Sequence, residues 1–182
     1  MMNEDQKKAI EYIDENAGIF TGVSDAIWAK PELSVKEFES AKLYCETLRA
    51  HGFEVTENLC GIPTAFCGKY GSGKPVIGFL GEYDALSGLS QKAGAAEHDP
   101  IVPGGAGHGC GHNLLGAGSM AAAFAVKKYL EEKGELNNTL LIFLSDNGAC
   151  AEPHREKGFG TIDMINNPDE WVNPSYGLPW AQ

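Results

Sequence analysis

Between residues 4 and 29 apolar side chains recur at helical spacing: Ile10, Ile13, Ala17 and Phe20 form a stripe that Val23, Ile27 and Trp28 continue. The spacing predicts one helix over 4–29, ended by Lys30-Pro31 because the residue before a proline avoids the helical region. Ser34 followed by Glu37 reads as a capping box. The helix it opens runs through Ala41, Leu43, Tyr44 and Leu48 and stops at His51-Gly52. Phe53 to Glu57 alternates as a strand, Thr64 to Cys67 is a second short one, and Gly71 to Pro75 is a turn. Val76 to Leu80 is an unbroken apolar run, the pattern of a strand buried on both faces. A long loop from Gly81 to Asn113 follows, and loops of that length are usually functional or disordered. Leu114 to Glu132 predicts a helix whose first half is buried, and Thr139 to Leu144 another apolar strand. Beyond Asp146 the pattern is irregular, interrupted by Pro153, Pro168, Pro174 and Pro179. Helices and strands in this order predict an α/β fold, a three-layer sheet with flanking helices.

Composition narrows the function classes. The 182 residues carry 25 acidic and 14 basic side chains, a formal charge of -11, which argues against nucleic acid or an anionic membrane as the main partner. No apolar run approaches the ~20 residues of a membrane span, and MMNEDQKKAI lacks the apolar core of a secretory signal. Cysteines at 45, 60, 67, 110 and 150 are odd in number and form no C-x-x-C pair, which fits a reduced, cytoplasmic chain.

The glycine excess is clustered in Gly104-Gly-Ala-Gly-His-Gly-Cys-Gly-His-Asn113, which sets His108, Cys110 and His112 at alternate positions. Thiolate and imidazole suit zinc or a manganese-class ion, thiolate favouring zinc. Glycines let the backbone fold tightly around an ion, and the positive end of the following helix favours anionic ligands. The alternative is a glycine loop whose polar residues are satisfied locally. A second signal, Gly81-Glu-Tyr-Asp-Ala-Leu86, directly follows the apolar strand, and ligands gather at the carboxyl ends of strands in open α/β sheets. Glu82 and Asp84 share a face in extended chain and could bind a metal or orient a histidine. An exposed acidic loop start is the competing reading. Together the two motifs suggest metal-assisted hydrolysis, although no H-E-x-x-H, and no Glu-Glu pair beyond the 114–132 helix, supplies a general base. No phosphate-binding G-x-x-x-x-G-K-[ST] is present.

Several stretches occur in the order found in one family: Ile27-Trp-Ala-Lys-Pro-Glu32, Gly61-Ile-Pro-Thr-Ala-Phe66, the run from Gly73 to Gln91, and Gly107-His-Gly-Cys-Gly-His-Asn-Leu-Leu-Gly116. On these motifs, residues 5–133 resemble the N-terminal part of the dinuclear metallopeptidases that include aminoacylases, carboxypeptidases and aminobenzoyl-glutamate hydrolases, the last most of all. The resemblance implies a divalent metal, zinc or manganese, with Cys110 and His112 as ligands. Asp84 takes the catalytic position of a ligand-orienting aspartate, and Glu82 and His108 are further metal candidates. It also implies cleavage of an amide beside a carboxylate in a small-molecule substrate, of the aminobenzoyl-glutamate or N-acyl amino acid type.

After Gly134 the pattern departs from that family, whose Glu-Glu pair and later histidines do not follow. Gly134 to Glu152 and Trp171 to Ala181 instead resemble a type I sulfatase, which implies calcium at Asp146 and Asn147; the sulfatase nucleophile motif is absent. The expected organisation is a truncated metallopeptidase-like domain over 1–133 joined to a sulfatase-like segment over 134–182, the strand past the junction still able to join the sheet. Such a chain is expected to bind metal weakly and to turn over little or nothing. A non-catalytic metal-binding or interaction protein is the main alternative. An uncovered sheet edge or apolar patch would favour self-association.

Overall fold

The computed structural model describes residues 2–145; Asp146, Asn147 and the rest of the sulfatase-like segment lie outside the described residues. Where one helix is expected over 4–29, there are two, α1 (Glu4–Glu15) and α2 (Ala17–Trp28). The break falls at Asn16, whose φ is -107° and whose side-chain amide donates to the Tyr12 carbonyl. An asparagine side chain offers the backbone this local alternative to continued helix. Helix α2 ends just before Lys30-Pro31, as expected.

Helix α3 (Phe38–Ala50) starts later than the Ser34 capping box predicts. Its free N–H groups are satisfied from a distance instead: the Glu32 carboxylate accepts from the backbone of Glu39 at 3.0 Å and of Ser40 at 2.8 Å. Val35, at φ 60°, turns the chain between them.

Strands β1 (Glu54–Glu57), β2 (Phe66–Gly71), β3 (Val76–Gly81) and β4 (Leu140–Ser145) form one mixed sheet in the order β1-β2-β4-β3. The strand past residue 134 thus lies inside the sheet, antiparallel to β2 and parallel to β3, with Phe79 opposite Phe143. Helix α4 (His112–Lys133) makes the crossover between the parallel pair.

Helices α2, α3 and α4 pack with β2 and β4 around one core that includes Phe20, Leu48, Phe66, Phe124, Leu141 and Phe143. The α/β class with helices flanking the sheet is as expected. The described helices cover one face, the face of Leu141 and Phe143. On the other, Val76 and Leu80 are 53% and 52% exposed, so β3 is not buried on both faces among the described residues. No helix among the described residues is long and apolar enough to cross a membrane.

Candidate metal centre

The acidic loop and the histidine loop meet at the carboxyl end of β3. Glu82, Tyr83 and Asp84 follow the last residue of β3, and His112 is the first residue of α4. Aromatic packing fixes the loop from below: the fully buried Tyr83 ring packs against Tyr44 at 5.3 Å and stacks on Phe66 at 5.9 Å between ring centres. Its side chain points into the core, so its neighbours Glu82 and Asp84 turn the other way. From the other side, α4 approaches closely because residue 116 is glycine. A Cβ there would lie 2.3 Å from the Tyr44 hydroxyl oxygen and 2.6 Å from the Glu82 carbonyl oxygen.

The result is a histidine held between two carboxylates. Nδ1 of His112 lies 2.6 Å from Oδ1 of Asp84, and Nε2 lies 3.0 Å from Oε2 of Glu82. Asp84 is buried, while Glu82 and His112 are partly open to solvent. A carboxylate oxygen can only accept, so the short Asp84 contact takes a hydrogen on Nδ1, and by the same rule the Nε2–Glu82 contact takes one on Nε2, the hydrogen that a bound ion would displace. Metal-ligating histidines are commonly held this way.

The remaining candidates sit differently. Cys110 is an exposed free thiol on the loop two residues before His112. His108 turns towards α2, its Nε2 donating to the Ile27 carbonyl at 3.2 Å, and burial lowers its pKa, which favours the neutral ring. The structure thus brings Glu82, Asp84 and His112 together, sets His108 close to Asp84 and His112, and leaves Cys110 exposed on the loop. Among the described residues, no three His, Cys, Asp or Glu side chains are arranged to hold an ion. The donor set still fits a divalent cation in kind: an oriented imidazole nitrogen beside a carboxylate oxygen, with a thiol two residues away in sequence.

One residue of this region escapes the motif reading. Glu37 is fully buried, and its carboxyl accepts the Val35 N–H at 2.8 Å and is hydrogen-bonded to the Thr64 side chain. Loss of solvation, reinforced by the nearby Asp84 charge, pushes it up to about 7. The sequence does carry a signal: Glu37, Ala41, Tyr44 and Leu48 follow helical spacing, which puts a carboxylate on the apolar stripe of α3.

A mixed α/β sheet thus carries a carboxylate-held histidine at the carboxyl edge of its parallel pair, where ligands gather in such sheets. Comparison with known proteins finds similarity to hydrolases and peptidases. The chain is 53% identical over 116 residues to one of the subunits of the p-aminobenzoyl-glutamate hydrolase of Escherichia coli, covering 64% of this chain and 24% of that protein. It is 31% identical over 172 residues to the Xaa-Arg dipeptidase of Mus musculus, covering 88% of this chain and 34% of the relative. The latter match takes in more of the chain than residues 1–133, so similarity continues past the position where the sequence pattern changes. The chain therefore spans about a quarter to a third of the length of these relatives. No family model matches it.

Solved structures agree on the fold. A Staphylococcus aureus protein assigned as an aminohydrolase superposes with a TM-score of 0.60 at 23% identity, covering 90% of this chain and 39% of that one. A dinuclear metal-binding peptidase of the M20 family from Bacillus subtilis gives 0.53 at 21% identity, covering 74% and 37%.

Proposed function

We propose that this chain carries the metal-binding histidine site of a metal-dependent amidohydrolase that cleaves an amide beside a carboxylate. The observation that carries this reading is His112, fixed by Asp84 through Nδ1 and presenting Nε2 beside Glu82. Similarity to p-aminobenzoyl-glutamate hydrolase supports it and points to aminobenzoyl-glutamate or N-acyl amino acids as the substrate class. His112 and Cys110 would hold the ion, zinc or manganese, with Glu82 beside them. Asp84 keeps the imidazole in one tautomer and one orientation. A bound ion would polarise the amide carbonyl and lower the pKa of a water.

No Glu-Glu pair follows α4 to deliver that water, so the 182 residues alone bind metal weakly and hydrolyse little or nothing. Assay of the zinc- or manganese-loaded chain against p-aminobenzoyl-glutamate and N-acetyl amino acids tests this. Metal uptake with negligible turnover is expected. Robust metal-dependent hydrolysis that is lost in Cys110→Ala would overturn the second half of the proposal.

The lack of a closed three-donor group among the described residues favours one second reading, a non-catalytic metal-binding or interaction protein. A tight metal site with no turnover of any amide class would favour it. The sulfatase-like reading of 134–182, with calcium at Asp146 and Asn147, is supported by sequence pattern alone, and amplification of the locus across codons 130–138 tests the junction. Four free cysteines among the described residues support a reducing, cytoplasmic setting.

A further inference from the structure

Asp84 orients His112, and its backbone is held both within its own loop, where Leu86 and Gly107 exchange two hydrogen bonds, and from outside it. It lies in the tripeptide 83–85, and that tripeptide is gripped on both sides by other parts of the chain. On one side, the Tyr83 hydroxyl donates to the Thr64 carbonyl. On the other, the Ala85 N–H donates to the Glu32 carbonyl at 2.7 Å, and Leu33 pairs with Ala85 in a parallel bridge. The segment from 32 to 37 thus forms a strap across the acidic loop, and Thr64 forms its opposite wall.

Glu37 joins the two. Its carboxyl takes the Val35 N–H of the strap at 2.8 Å and is hydrogen-bonded to the Thr64 side chain. The node is buried throughout, with Glu37 at 0%, Thr64 at 1% and Asp84 at 7% exposure. A buried polar network of this kind is rigid when satisfied and costly when one member is removed.

We propose that Glu37 is a positioning residue for the metal centre: by tying the 32–37 strap to Thr64 it fixes the Tyr83–Ala85 backbone, and so holds Asp84 where it can orient the His112 imidazole. This rests on reading His112 as a metal ligand. Glu37 acts on His112 through the strap and Asp84. The adjacent Glu32 has a separate task, since its carboxylate caps α3 at Glu39 and Ser40.

Two readouts on the full 182-residue chain test the proposal, one of which needs no metal. Long-range nitrogen–proton spectra report the tautomer of His112, and zinc titration reports affinity. In the wild type a hydrogen held on Nδ1 is expected, with or without a second one on Nε2. Glu37→Ala should mix the two tautomers and lower zinc affinity at least ~10-fold, as loss of outer hydrogen-bond partners does elsewhere. Glu37→Gln keeps the shape and one acceptor, and should restore both signals. Thr64→Val cuts the same link with little change in volume, and should shift the His112 tautomer even if Glu37→Ala does not fold. A folded Glu37→Ala with unchanged tautomer and unchanged zinc affinity would overturn the proposal, as would an unchanged tautomer in Thr64→Val. If the variants shift the tautomer but the wild type takes up no zinc, positioning by Glu37 stands and the metal-binding reading of His112 falls.

Discussion

His112 draws its definition from two carboxylates of unequal burial, and the more buried one makes the shorter contact. Asp84→Asn keeps the size of the side chain but replaces a charged acceptor with an amide. Isothermal titration should show zinc affinity falling roughly 10–100-fold, with the circular dichroism of the fold retained. Glu37 gives the chain a pH dependence of definite sign. Its carboxyl is raised from an ordinary 4.5 to about 7 in the folded state. Between those values the folded chain holds more protons than the unfolded one, so this group lowers stability as pH rises through the window. Below the window both states are protonated and the effect is flat. Urea midpoints should therefore fall between about pH 4.5 and 7, and fall less in Glu37→Gln; equal slopes in the two proteins would refute the assignment. The residues of the histidine loop and the acidic loop are legible in the sequence because each motif is local. Their pairing is not, since it depends on a crossover that brings residue 112 back to residue 84. The capping-box rule matches Ser34 and Glu37 by spacing alone, and so takes a buried network carboxyl for a helix cap.

At the scale of elements, the close approach of α4 to β3 decides where His112 stands. Gly116 permits it: an added methyl would collide with the Tyr44 hydroxyl and with the Glu82 backbone, and a backbone atom cannot swing aside as a flexible side chain can. Gly116→Ala should cost about 1–3 kcal/mol in urea unfolding. It should also weaken zinc binding, because the shift separates His112 from Glu82. A variant of native stability and affinity would show that the approach is not tight. Periodicity places most strands and helices to within a few residues, and β4 joins the sheet as the apolar run Leu140–Leu144 suggests. Two features escape periodicity because side chains override it: the break at Asn16, which keeps the same apolar stripe on both sides, and the capping of α3 by Glu32, which is distant in sequence.

For the whole molecule, the helices described cover one face of the sheet and leave an apolar stripe on the other. Val76, Leu80 and Leu144 are 53%, 52% and 36% exposed there, and the register sets Val76 opposite Leu140 and Leu80 opposite Leu144 on neighbouring strands. Continuous apolar surface of this kind favours association, and the net charge of -11 opposes it. Sedimentation should show concentration-dependent self-association that strengthens with salt and is reduced by Leu80→Lys; a clean monomer at all salt concentrations would count against it. The alternation of β3 is not legible in its sequence, because Val76 to Leu80 is apolar on both faces and only neighbours decide which face is covered. A length of 182 residues suggests one domain, or one and a fragment, and the chain spans about a quarter to a third of the relatives it matches.

The claim on which the rest depends is that His112 is a metal ligand. Elemental analysis of the purified chain after equilibration with zinc, compared with His112→Ala and Cys110→Ala, tests it most directly. About one divalent ion per chain is expected, bound weakly enough to be removed by extended dialysis, lost in His112→Ala and reduced in Cys110→Ala. Zinc content that is the same in all three proteins, or absent from the wild type, would contradict it.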